Sequence, residues 1–205
     1  MKTVNREIFS AISGVLHNLY FSVPTPTALA LWRQGDLLAS WPKLAAPAAH
    51  QAACQEMERS LQQDDDAVIE RDHYRLFIGP GEMLAYPWGS VYRDRENLLF
   101  SSSAQAVQHF VERWQLTLTL AHHQPLDHIG LLLGMLSQLL ANEQWQAVDE
   151  LLQQHLMPWA PRFLECTQTH AQTGFYRGVA QLTSQFLQAI MAERQLAITP
   201  CPLYK

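Results

Sequence analysis

Cysteine is scarce. Cys54, Cys166 and Cys201 are odd in number, widely scattered and form no C-x-x-C pair. That excludes a secreted disulfide framework and fits a reducing cytosol. Glycine and proline are modest at 9 and 11 residues, so collagenous and low-complexity classes fall away. Charged residues make up only 16% against 48% hydrophobic, too apolar a balance for a disordered chain. No apolar run approaches the roughly twenty residues of a bilayer span. The greasiest stretch, Ile129 to Ala141, is interrupted by Gly130, Gly134, Ser137 and Gln138. Near the start, Glu7, Ser10 and Ser13 break up any signal-peptide core. The expectation is a cytoplasmic protein without stable membrane insertion. Basic charge is also short: 14 Lys+Arg against 19 Asp+Glu leave −5. This is the wrong sign for a nucleic-acid partner or an anionic lipid surface.

What is present favours helix. The 205 residues can bury about 70% of the unfolded surface, enough core for one domain without staples. Leu, Ala and Gln account for 73 residues and Val, Ile and Thr for 26; unbranched side chains lose less rotamer freedom in a helix. Ile8, Ile12, Val15, Leu16 and Leu19 recur at helical steps behind Asn5, read as an N-cap. Thr25-Pro26 starts a short helix that Gly35 ends, and Ala48 to Leu61 reads as another. Asp66 is read as the cap of a segment carrying Val68, Ile69, Leu76 and Phe77. Ser103 opens a helix through Trp114, and Pro125 suits the first turn of the greasy helix, which belongs at a bundle centre. Trp145 to Leu156, a short helix from Pro161, and Thr173 to Ala192 complete the set. The fold class expected is all-α: a compact multi-helix bundle with one long irregular loop at about 79–100 and a hinge near 122–128. Residues 1–205 read as one domain, divisible at that hinge into lobes 1–120 and 125–205.

Chemistry-bearing patterns are few. Gly79 to Phe100 carries Gly79-Pro80-Gly81, Pro87 and Gly89, which oppose helix over about twenty residues, a length usually tied to function. Ser90 lacks the G-x-S-x-G setting of a hydrolase nucleophile, and no glycine-rich phosphate loop occurs. His122, His123, Asp127 and His128 fall close together, so a metal-dependent hydrolase stands as an alternative, although adjacent histidines do not aim readily at one ion. A scaffold docking a folded partner is a third reading. Acids concentrate between Glu56 and Asp72, seven against two arginines, as a solvated helix end or an attractor for a basic guest. An aromatic, proline-rich loop beside acidic chain and an Asp-His pair suits a binding groove.

Leu76-Phe77-Ile78-Gly79-Pro80, then Pro87-Trp88-Gly89-Ser90-Val91-Tyr92 and Asp94-Arg95-Glu96, resemble the TorD/DmsD family of molybdoenzyme chaperones. A second signature, E-P-x-D-H, is similar to Gln124-Pro125-Leu126-Asp127-His128; a third similarity is Leu156-Met157-Pro158-Trp159 with Arg162-Phe163-Leu164. The resemblance covers nearly the whole chain. Gln124 stands where the family has Glu, and His73 where an aromatic residue is usual. It implies an all-helical, non-catalytic chaperone that binds the twin-arginine leader of a molybdoenzyme catalytic subunit of the dimethyl-sulfoxide-reductase class. Export would be delayed until cofactor insertion and folding are complete. It further implies a leader-binding surface made of Leu76, Phe77, Pro87, Trp88, Tyr92, Pro125, Asp127 and His128, with Asp127 pairing an arginine, no bound cofactor, and a monomer or domain-swapped dimer.

Overall fold

The computed structural model describes residues 3–118, 120 and 124–205. Among them ten α-helices and one π-helix form, and no strand. In chain order they are α1 (Thr3–Phe21), α2 (Pro26–Gln34), α3 (Pro47–Gln63), α4 (Asp66–Phe77), α5 (Gly89–Arg93), α6 (Ser102–Arg113), α7 (Ile129–Ala141), α8 (Trp145–Glu150), the π-helix Leu151–Leu156, α9 (Ala160–His170) and α10 (Gly174–Arg194). The all-α expectation holds. Among the described residues no helix is long and apolar enough to cross a membrane. The chain divides into two compact units. The first comprises Met1–Phe21, Pro87–Pro161 and Met191–Lys205; the second comprises Ser22–Tyr86 and Arg162–Ile190.

In the first unit α1 lies along α7, and small residues set how close they come. Ser10 donates to the Ser137 carbonyl at 2.9 Å and Ser137 returns a bond to the Ser10 carbonyl at 2.8 Å. A side chain at Gly130 would place its Cβ 2.8 Å from the Phe21 Cβ. α7 is apolar on nearly every face and is buried accordingly, with Ile129, Leu132, Leu133, Met135, Leu136, Leu139 and Leu140 sealed. The wider π turn after α8 directs Leu151, Leu152, His155 and Leu156 inward. Trp159 donates its indole N–H to the His155 carbonyl at 2.7 Å and stacks on Tyr92. Gly89 faces that indole so closely that an added Cβ would lie 2.5 Å from its nitrogen.

The second unit is organised around Asp72. Its carboxylate accepts from the Thr173 N–H at 2.8 Å, the Gln172 N–H at 3.0 Å, the Thr173 hydroxyl at 2.8 Å and Arg75 at 2.9 Å. A side chain on α4 thereby satisfies the open N–H groups at the start of α10. One turn on, His73 Nδ1 meets the Tyr176 hydroxyl at 2.8 Å, and Phe77 packs against Phe163 and Tyr176.

Several local expectations are corrected. α1 already includes Thr3, so Asn5 lies inside the helix rather than capping it. Asp65, not Asp66, holds the cap position of α4 without a side-chain cap bond, and Asp66 is the first helical residue, its carboxylate paired with Arg33. Ser101, not Ser103, precedes α6. Pro125 does not sit in the first turn of α7: the helix begins four residues later, capped by His128, whose Nδ1 accepts from the Gly130 N–H at 3.0 Å. The 79–100 segment is not wholly irregular, since Gly89 begins the short helix α5. Gly79-Pro80 is a cis peptide.

Candidate functional site

The two sequence signatures meet in the first unit. The Ile129 N–H donates to the Pro87 carbonyl at 2.7 Å and the Gly89 N–H to the Asp127 carbonyl at 3.1 Å. These bonds make an isolated antiparallel bridge between Trp88 and His128. Extended backbone paired in this way cannot also be helical, which is why α7 starts only at Ile129. The Asp127 carboxylate accepts from the Ser90 N–H, one of the open donors at the start of α5. Asp127 has no exposed surface. Burial pushes its carboxyl above the usual range, opposed by the Ser90 N–H and the Ser90 and Ser103 hydroxyls. Asp127 thus joins α5 to the Asp-His segment, and an arginine could reach it only by opening this joint.

Around the bridge runs a row of rings. Trp88 meets His128 edge to face at 5.3 Å, His128 meets Phe21 the same way at 5.4 Å, and His17 stacks on Phe21 at 5.3 Å. Trp88, Phe21 and His17 are half-buried and His128 nearly sealed. His17 is fixed by a 2.7 Å contact from Nδ1 to the Gly130 carbonyl. Two open grooves lie in the same unit. One of about 520 Å³ is walled by Phe100, Ala104, Gln105, Gln108, Gln124 and Leu126, with Pro125 in its lining. Another of about 420 Å³ is bordered by His17, Phe21, Leu118, Leu131 and Gly134. Leu98, Leu99 and Phe100 stand 53%, 42% and 47% exposed beside the start of α6.

Of the residues singled out from sequence, Pro87, Trp88, Tyr92, Pro125, Asp127 and His128 belong to this unit. Trp88, Asp127 and His128 are directly assembled, whereas Tyr92 is buried against Trp159. Leu76 and Phe77 are buried in the second unit. The acidic window there is largely engaged within its own unit. Glu56 pairs with Arg177, Asp66 with Arg33, and Asp72 with Arg75, leaving Glu58 and Asp65 on the surface. Sequence reading missed His17 and Phe21. Their four-residue spacing on α1 was the available signal, but it is also the spacing of an ordinary core face. Phe100 and Leu126 were missed because isolated apolar residues in a loop carry no period.

His122 and His123 lie outside the described residues. Among the described ones no group of three His, Cys, Asp or Glu is placed to hold a metal ion. The hydrolase alternative gains no support: Asp127 holds the Ser90 N–H and His128 Nδ1 holds the Gly130 N–H. Nothing favours the scaffold reading either.

Comparison with known proteins covers nearly the whole chain. A family described as nitrate reductase delta subunit matches residues 43–165. The Tat proofreading chaperone DmsD of Salmonella typhi is 32% identical over 207 aligned residues, covering 98% of both chains. The chaperone protein TorD of Actinobacillus pleuropneumoniae serotype 7 is 31% identical over 60% of this chain and 62% of its own. A crystal structure from Archaeoglobus fulgidus, described as a candidate redox enzyme maturation protein, superposes with a TM-score of 0.55 at 18% identity, over 90% of this chain and 95% of its own. That likeness concerns the fold alone.

Proposed function

The chain belongs to the TorD/DmsD family of Tat proofreading chaperones, and from that premise we propose that it binds the twin-arginine leader of a molybdoenzyme catalytic subunit of the dimethyl-sulfoxide-reductase class. It acts in the cytoplasm, by binding rather than by catalysis, and holds back export until the client is folded and loaded. The observation that carries this reading is the bridge between Trp88 and His128, which brings two remote signatures together on a half-open aromatic row. A leader offers arginines followed by a moderately apolar stretch. The groove lined by Phe100, Pro125 and Leu126 offers apolar walls with amide groups at Gln105, Gln108 and Gln124. Such mixed lining suits an extended peptide whose main chain needs hydrogen-bond partners.

The residues take distinct roles in this proposal. Trp88 supplies rigid contact area, and His128, nearly sealed, holds the Trp88 and Phe21 rings edge to face. Asp127 is a positioning residue, holding α5 against the Asp-His segment rather than meeting the guanidinium. Glu112, which accepts from Gln108 of the groove wall at 2.8 Å, is the exposed carboxylate we assign to the arginines, since carboxylate is their strongest partner. Leu76 and Phe77 contribute through the core of their own unit.

Calorimetry with a synthetic leader tests the reading. One-to-one binding at about micromolar Kd is expected, weakened on replacing Arg-Arg by Lys-Lys because the bidentate fork is lost. Trp88→Ala should weaken binding about tenfold, as loss of an aromatic anchor does, and should lower Tm as well, because the half-buried indole packs on His128; Trp88→Phe, which keeps a ring on His128, should recover most of the Tm. Heat no larger than that of a scrambled peptide rejects the proposal.

A further inference from the structure

The segment after α10, residues 195–205, has no regular secondary structure, yet it follows a defined path on the first unit. The Thr199 N–H donates to the Gln153 carbonyl at 3.1 Å and Gln153 Nε2 donates to the Ala197 carbonyl at 3.0 Å. Cys201 Sγ points to the Pro158 carbonyl at 3.8 Å, and the Tyr204 N–H donates to the Tyr92 carbonyl at 2.8 Å. The ribbon therefore runs from the π-helix, past Pro158, to α5, the element that Asp127 secures.

Its grip is made mostly by main chain. Ile198, Leu203 and Tyr204 remain 44%, 42% and 46% exposed, so few apolar contacts reward the ordering of this stretch. A segment held by a handful of polar contacts, with its apolar side chains half in water, belongs to the low-stability end of a structure. Main-chain bonding to an extended ribbon also tolerates many sequences, because every residue except proline offers the same groups. The ribbon's own composition is apolar with one base, Lys205, and no acid. That is the chemical class of an apolar stretch beside basic residues.

We propose that residues 196–205 are an internal stand-in for a leader. They occupy an extended-peptide track ending on α5, lined by other residues than the Phe100 groove, and the part of a bound leader that runs on from that groove displaces them from it. The inference rests on the leader reading above and adds the regulation of that site. Free protein is held partly closed by its own ribbon, so the apparent affinity is lower than that of the open track by the fraction of time the track is free.

The test compares three proteins by calorimetry with one synthetic leader: the intact chain, a chain ending at Gln195, and Tyr204→Pro, which removes the N–H that meets Tyr92. The shortened chain should bind about tenfold more tightly, as expected if the track is free roughly a tenth of the time, and Tyr204→Pro should move the same way. A synthetic peptide of residues 196–205 should compete with the leader on the shortened chain. Equal or weaker leader binding by both variants, or no competition by the peptide, overturns the inference while leaving the leader reading intact. Failure of all three proteins to bind a leader removes both. A large fall in Tm for the shortened chain is judged by Tyr204→Pro, which keeps the rest of the ribbon: unchanged affinity in that variant makes the ribbon a structural clasp and overturns the inference.

Discussion

Asp72 and His73 are adjacent and sealed, and they set the residue-scale energetics of the second unit. Asp72 gathers two N–H groups, a hydroxyl and a guanidinium. Asp72→Ala leaves those donors buried without a partner and should cost about 3 kcal/mol, the scale for breaking a buried charge-assisted network, read as a shift in urea midpoint. Asp72→Asn keeps one acceptor and should cost less. Burial pushes the His73 imidazole down to about 4, with Asp72 opposing. A base whose folded pKa lies below its unfolded value loses stability as pH falls from about 6.5 towards 4, because the unfolded chain takes up the proton first. From this group the protein should be about 2 kcal/mol less stable at pH 5 than at pH 7, and His73→Gln should flatten that difference in paired urea titrations. The residues of the two signatures were legible as types. Their contacts were not: nothing in the order Pro-Leu-Asp-His tells that the carboxylate faces the Ser90 N–H rather than solvent, since that depends on a bridge between segments distant in the chain.

At the scale of elements, period and punctuation located most helices, and α7 was legible as a buried one because it is apolar all round. Their ends were less so. Capping depends on which residue leaves the helical backbone, and Asp66 stands inside the first turn of α4, where its carboxylate pairs with Arg33. α5 was hidden because Pro87 and Gly89 argue against helix locally, whereas the Asp127 carboxylate and the Trp159 ring stabilise it from outside. Gly89→Ala should therefore destabilise by about 2 kcal/mol, the cost of overpacking against a fixed ring. Leader affinity should fall with it, since α5 carries the first signature; a Tm scan with calorimetry on the same samples checks both.

At the scale of the whole molecule, the chain passes between its two units more than once. Local pattern cannot report which segments share a unit, because partners such as α1 and α7 are brought together by surface rather than by proximity in the chain. A chain beginning at Ser22 uncovers the α7 face and should be aggregation-prone, since an apolar patch that size rarely stays in water; light scattering of the purified product checks this. Charge acts at the same scale. With −5 overall, association with a cationic leader should slow as salt rises from 50 to about 500 mM, a screening effect read as a falling association rate.

The interleaving has a consequence for biosynthesis. The ribosome delivers α1 long before α7, and α4 long before the Gln172–Thr173 amides that Asp72 holds. Each half-made unit must wait with its oily faces uncovered until its missing stretch emerges, because contacts of high sequence separation form late. A proofreading chaperone thus begins its own life, during translation, as a chain in need of guarding.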